Sequence, residues 1–204
     1  MPVTLLQKAK KKVWRLQRIV RSRLGIGSKQ YSPDRRFQED ILLPRVVEQW
    51  RGGKVLYVGV AWYTYHYWRR YFRGVRLTTL DVLPEQAAFG SKGHIVGGLS
   101  STALADLAPF DLILMPGVLG YGINSDADLR GALACIHNLL RLNGSCFVTV
   151  EEPLVREHPT TINADEMMTA SRECGFDAQP VSDWFTITSG VARTRYYSLA
   201  RVRL

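Results

Sequence analysis

Apolar and polar positions alternate along this 204-residue chain in two periods. Short aliphatic or β-branched runs read as strands: "KVLYVGV" (54–60), "VRLTTLDV" (75–82), "GHIVGG" (93–98), "FDLILMPG" (110–117) and "SCFVTVEE" (145–152). Helical spacing fills the gaps between them. The clearest case is 125–144, where Leu129, Leu133, Ile136 and Leu140 make one stripe. Ser125 with Asp128 three residues on opens that helix, and Asn143-Gly144 stops it. Shorter helices are expected over 63–72, 84–90 and 101–108, and another follows the capping pair Asn163 and Glu166 as far as Cys174-Gly175. Ser32-Pro33-Asp34 opens a helix running toward Trp50, with Phe37, Ile41 and Val47 on its buried side and a kink or boundary near Pro44. Two closing runs, 184–190 and 194–202, read as an antiparallel hairpin. The pattern predicts an α/β fold: a doubly wound, mostly parallel seven-stranded sheet with an antiparallel C-terminal hairpin and helices on both faces.

Composition changes this picture at one end only. The net charge of +9 suggests nucleic acid until it is located. Eight of the 27 basic residues (Lys8, Lys10, Lys11, Lys12, Arg15, Arg18, Arg21, Arg23) fall in the first 24 positions, where there is no acid. The 19 that remain face 18 acidic residues, so the body is close to neutral. Leu5, Ala9, Val13, Leu16, Val20 and Leu24 give the basic segment an apolar stripe. Residues 1–30 are therefore expected to be a basic amphipathic arm and linker, and 31–204 the main domain. Through residues 4–24 the arm suits an anionic membrane surface or a protein partner, and it could equally pack on its own domain. Nucleic acid fits less well, because Trp14 is the arm's only stacking aromatic. Three scattered cysteines make neither a zinc pattern nor a disulfide framework. A reducing cytoplasm is expected, with the protein soluble or peripheral to a membrane.

In an open parallel sheet, ligands bind beyond the carboxyl ends of the strands. The residues there are Gly59, Val60, Ala61, Trp62 and Tyr63, then Asp81 and Val82, Gly98 and Leu99, Pro116 and Gly117, Tyr121, Glu151 and His158. Asp81 ends the second strand 22 residues after Gly59, where an acid accepts hydrogen bonds from a cofactor ribose. A pyrophosphate needs bare backbone amides, and Trp62 and Tyr63 crowd that surface. A dinucleotide is therefore disfavoured. A ribose-bearing cofactor without phosphates asks less of this turn.

That combination resembles the class I S-adenosylmethionine-dependent methyltransferases, which are Rossmann-like. The resemblance covers roughly residues 31–204 and rests on "VLYVGVAW", "LTTLDVLP", "FDLILMPGVLGYG" and "LLRLNGSCFVTV". More narrowly, "VGVAWYTYHY", "LDVLPEQAAFG" and "HIVGGL" are similar to a bacterial methyltransferase-like subgroup. The chain departs from the family pattern where Tyr57 takes the place of its acid, Ala61 and Tyr63 of its second and third glycines, and Gly97-Gly98 of an acid near the adenine. "MPGV" also lacks the signature of enzymes that methylate base amino groups. The resemblance implies S-adenosyl-L-methionine as cofactor. Its amino-acid end would rest on the backbone from Gly59 to Ala61.

Methyl transfer needs a base only where the nucleophile loses a proton. His66, Glu151 and His158 are the candidates and Tyr121 is a candidate for the acceptor pocket; each has a bland alternative as a packed or solvated side chain. No His, Cys, Asp or Glu set has metal-ligand spacing, so no metal is expected. Two functional readings stand. One is a methyltransferase acting on a small-molecule or glycan-like acceptor. The other is a non-catalytic protein of the same fold that docks through its basic helix.

Overall fold

A computed structural model describes residues 32–152, 162–187 and 192–203, together with Val13, Gln17 and Val20. Those three residues are helical and exposed; the rest of the expected arm lies outside the described residues. The first helical stretch, α1, has three consecutive parts: Pro33–Arg36, the π-helical Phe37–Leu42 and Leu43–Gln49. It leads to β1 (Lys54–Val58), α2 (Tyr67–Arg70), β2 (Arg76–Asp81), a 3-10 turn (Pro84–Phe89) and β3 (Gly93–Val96). Then come α3 (Thr102–Ala105), β4 (Phe110–Met115), α4 (Asp126–Leu139), β5 (Leu140–Glu152), α5 (Ala164–Glu173), β6 (Phe176–Pro180), β7 (Phe185–Ile187) and β8 (Ala192–Arg201).

The sheet runs β3-β2-β1-β4-β5-β8-β6, with β7 paired to β8 off this path. β1 to β5 pair in parallel, and β8 is inserted antiparallel between β5 and β6. The expected hairpin is β7 against β8. β6 was not foreseen, because "FDAQP" holds two apolar side chains and a proline, the mark of an outer strand. Beyond it the outer strand breaks at Val181–Trp184 before resuming as β7, and there Ser182 Oγ accepts the Tyr196 N–H at 3.0 Å.

Period-2 alternation sends neighbouring side chains to opposite layers. Leu56, Val58, Ile113 and Met115 point toward α4 and α5, with Leu129, Leu133, Ile136 and Met167. Val55, Tyr57, Leu112 and Leu114 point toward α1 and α2, with Leu42, Leu43, Val46, Tyr67 and Phe72. The capping boxes of α4 and α5 form as expected: the Asp128 N–H donates to Ser125 and the Glu166 N–H to Asn163.

Three boundaries differ from expectation for local reasons. In α1 the π segment widens the turn ahead of Pro44, whose ring and missing N–H cannot join an α-helical ladder. The extra residue per turn shifts the buried side to Gln38, Leu42 and Leu43, and Ile41 is 51% exposed rather than buried. The same helix starts without a side-chain cap at Ser32. Second, only Tyr67–Arg70 of the expected 63–72 helix forms. Thr64 Oγ1 instead holds the Ala61 N–H and donates to the Ala61 carbonyl, closing a turn that competes with helix. Third, α4 stops at Leu139, because Leu140 already pairs with Phe110. No helix among the described residues is long and apolar enough to cross a membrane.

Candidate functional site

Strand order reverses between β1 and β4, and the crevice at that point opens into a cavity of about 820 Å3. That volume is in the range of small-molecule sites. Gly59 turns the chain at the end of β1 with φ +80°, and a Cβ there would stand 3.3 Å from Val118 Cγ2. Asp81 ends β2 and ties two turns together: its Oδ2 accepts the Val60 N–H and its Oδ1 the Leu83 N–H, both at 2.9 Å. A carboxylate has about four acceptor positions, so capacity remains for ligand hydroxyls. At the end of β4 the Gly117 N–H donates to Thr149 Oγ1 at 2.7 Å. Added Cβ atoms at Gly98 and Gly117 would meet nothing within 4 Å, so bare backbone faces the cavity at both places.

The far wall comes from α1, β5 and β8. Tyr196 Oη is shared between the Asp34 carbonyl at 3.2 Å and Gln38 Oε1 at 3.3 Å, and Gln38 Nε2 donates to Tyr57 Oη at 3.3 Å. Arg35 stacks over the Tyr63 ring at 4.6 Å, while its Nη1 donates to Gln38 Oε1 at 2.9 Å and Tyr67 Oη at 3.3 Å. Glu151, at the end of β5, also faces the cavity. Burial pushes its carboxyl above the usual range, and the negative charge of Asp34 adds to this.

No protein-family model matches the chain, and a search of curated proteins finds no match. Solved structures do match. N-methyltransferase NodS from Bradyrhizobium japonicum WM9, in complex with S-adenosyl-L-homocysteine, superposes with a TM-score of 0.66 at 17% identity, over 85% of this chain and 90% of that one. Streptomyces venezuelae DesVI gives 0.55 at 12% identity, over 78% and 90%. An O-methyltransferase family protein from Burkholderia thailandensis gives 0.55 at 15% identity, over 96% and 70%. The chain has the class I methyltransferase fold.

Within this methyltransferase fold, most of the residues named from the sequence converge. Gly59, Val60, Ala61, Tyr63, Asp81, Val82, Gly98, Leu99, Pro116, Gly117, Tyr121 and Glu151 all line the cavity. Trp62 is not part of the lining; its ring meets Tyr63 edge-on, with centroids 5.8 Å apart. His66 is also outside it. The residue stands at the N-cap position of α2 without a side-chain cap bond, and its imidazole packs edge-on against Tyr67 and puts Nε2 3.8 Å from Glu39 Oε2. That position serves packing, not proton transfer in the cavity. His158 lies outside the described residues.

The expectation that the Gly59–Ala61 backbone offers donors to a ligand needs correcting. The Gly59 N–H bonds the Leu80 carbonyl at 2.9 Å, that of Val60 bonds Asp81, and that of Ala61 bonds Thr64 Oγ1 at 3.0 Å. Sequence reasoning also missed Asp34, Arg35, Gln38 and Tyr196. One signal was available for Arg35. Basic residues are unfavourable in the first turn of a helix, and Arg35 and Arg36 both fall there.

Proposed function

We propose that the protein transfers a methyl group from S-adenosyl-L-methionine to a small-molecule or glycan-like acceptor. The observation that carries this reading is Asp81, which ends β2 with acceptor capacity to spare, beside bare glycine backbone, on a cavity of about 820 Å3. The residues present fit the cofactor. Asp81 suits ribose hydroxyls, Val82 and Leu99 offer apolar flanks for a base, and Gly98 and Gly117 admit close approach. When bound, the cofactor supplies an electrophilic methyl group on a sulfonium.

The chain's own part is mainly alignment, which supplies much of the acceleration in such displacements. Glu151 takes the acceptor's proton, and its raised carboxyl is a better base near neutral pH than an ordinary one. Tyr121, 54% exposed on the cavity wall, meets the acceptor. The matched structures include proteins named as N- and O-methyltransferases, and a protonated amine or a hydroxyl would both need Glu151. Residues 1–30 would hold the domain at an anionic membrane surface or a partner, in the cytoplasm. Calorimetry of the full chain with S-adenosylmethionine and S-adenosylhomocysteine is expected to show saturable heat. Absence of heat and of any thermal shift at millimolar ligand would overturn the proposal.

One observation favours the competing reading of a non-catalytic protein docking through its basic segment. All three amides of the first turn are already engaged inside the protein. Co-purified S-adenosylhomocysteine would refute that reading.

A further inference from the structure

The engaged amides leave a question about charge. A ligand carrying an amino-acid group brings a carboxylate into the cavity, and the N–H groups of Gly59, Val60 and Ala61 are already engaged. Asp34, Asp81 and Glu151, which also line the cavity, repel it. Among the described lining residues, Arg35 is the single cation.

Arg35 is held for such a role. Its guanidinium carbon sits over the Tyr63 ring, 4.6 Å from the centroid, a cation–π contact that helps hold the group in place. Nη1 is committed to Gln38 and Tyr67, which fixes the rotation of the group. Tyr67 Oη in turn donates to Glu39 Oε1 at 2.9 Å, so the nearest bonded acid stands one hydroxyl away. Among the described residues no carboxylate makes an ion pair with Arg35, and neither Nε nor Nη2 has a hydrogen-bond partner. These two atoms form the edge of guanidinium that meets a carboxylate with two parallel hydrogen bonds. A buried charge is costly until an opposite charge completes it. Among the described residues no side chain supplies that charge.

Resting on the proposed cofactor, we infer that Arg35 forms a carboxylate subsite that takes the amino-acid end of the cofactor, in place of the amides of the Gly59–Ala61 turn. The acceptor is the other source of a carboxylate. The turn's occupied amides favour the cofactor, because they leave Arg35, the single cation among the described lining residues, to meet its carboxylate.

Two ligands separate these cases by calorimetry on the full chain. S-adenosylhomocysteine carries the carboxylate; 5′-methylthioadenosine has the same nucleoside and sulfur without the amino-acid end. Arg35→Met should weaken S-adenosylhomocysteine about 10- to 100-fold, the scale of a lost charged hydrogen bond, and leave 5′-methylthioadenosine within about twofold. Arg35→Lys, which keeps the charge and loses the fork, should fall between, and the same two-ligand comparison is read from it should the methionine variant not fold. Equal loss for both ligands would overturn the inference, since the effect would then be on the whole cavity. Unchanged S-adenosylhomocysteine affinity would also overturn it and place the carboxylate on the acceptor. Failure of the unmodified protein to bind either ligand sinks the proposed function itself, a separate result.

Discussion

The two faces of the sheet are built from different material. Under α4 and α5 the buried side chains are mostly aliphatic, with Leu56, Ile113, Leu129, Leu133, Ile136 and Met167 among them. Under α1 and α2 aromatic rings join the aliphatic ones: Tyr57, Tyr67, Phe72 and Tyr196 are buried beside Leu43, Val46 and Leu114, flanked by Phe37, Trp68 and Phe185. An aliphatic layer asks only for volume. The aromatic layer also buries three phenols, and a buried hydroxyl needs a partner. Burial pushes the phenols of Tyr57, Tyr67 and Tyr196 up, so they stay neutral hydrogen-bonding groups. Gln38 joins Tyr57, Tyr196 and Arg35 through its one amide. One face thus supplies cohesion, and the other orients the groups that line the cavity.

Substitutions on each face test this division. The largest loss of stability is expected for Leu133→Ala, about 2–5 kcal/mol by denaturant unfolding, as for buried leucines generally. The ratio of S-adenosylhomocysteine to 5′-methylthioadenosine affinity should stay as it was; a changed ratio would mean the faces are not independent. Gln38→Leu should cost less, about 1–3 kcal/mol, because it strands the hydroxyl of Tyr57 and leaves that of Tyr196 only the Asp34 carbonyl, without adding a cavity. It should nevertheless shift that affinity ratio, since Arg35 loses the closer of the two partners that fix its rotation. If Gln38→Leu changes stability alone, the aromatic face is only another core.

The smallest effect concerns pH. Burial raises the Glu39 carboxyl, but the nearby His66 imidazole and the hydrogen bond from Tyr67 outweigh it and hold the group below its usual range. A carboxyl depressed in the folded state adds stability that is present above its unfolded value, near 4.5, and is lost as pH falls through the folded one. Glu39→Gln should flatten the acid limb of the stability profile by about 1 kcal/mol or less. A profile parallel to the parent's would remove Glu39 from the network.

The aliphatic face was legible in the sequence because periodicity reports it directly. The stripe Leu129, Leu133, Ile136 and Leu140 is buried throughout, and both capping boxes form. Asp81 was legible for the same reason, since a strand's end follows from its apolar run. The aromatic face was not. The π turn before Pro44 rotated α1 by a residue, hiding Gln38 from any 3.6-residue count. The amides of Gly59 to Ala61 looked open because their partners, Leu80, Asp81 and Thr64, are set by the folded turn. Arg35 gave only a mild conflict with the helix dipole, a signal too small to name a role.

The broken outer strand has a consequence for how copies of this protein behave together. A sheet margin with unpaired N–H and C=O groups is a template for other chains, and proteins blunt it with short strands, proline and breaks. One margin here is β3, four residues long and starting at Gly93. The other is β6, which carries Asp177 and ends at Pro180, followed by the step at Val181–Trp184 before the three residues of β7. Neither margin presents a long, straight ladder. The step therefore guards solubility as well as shaping the hairpin, and a repair that joined β6 to β7 in one continuous strand would lay down a surface on which molecules stack into aggregates.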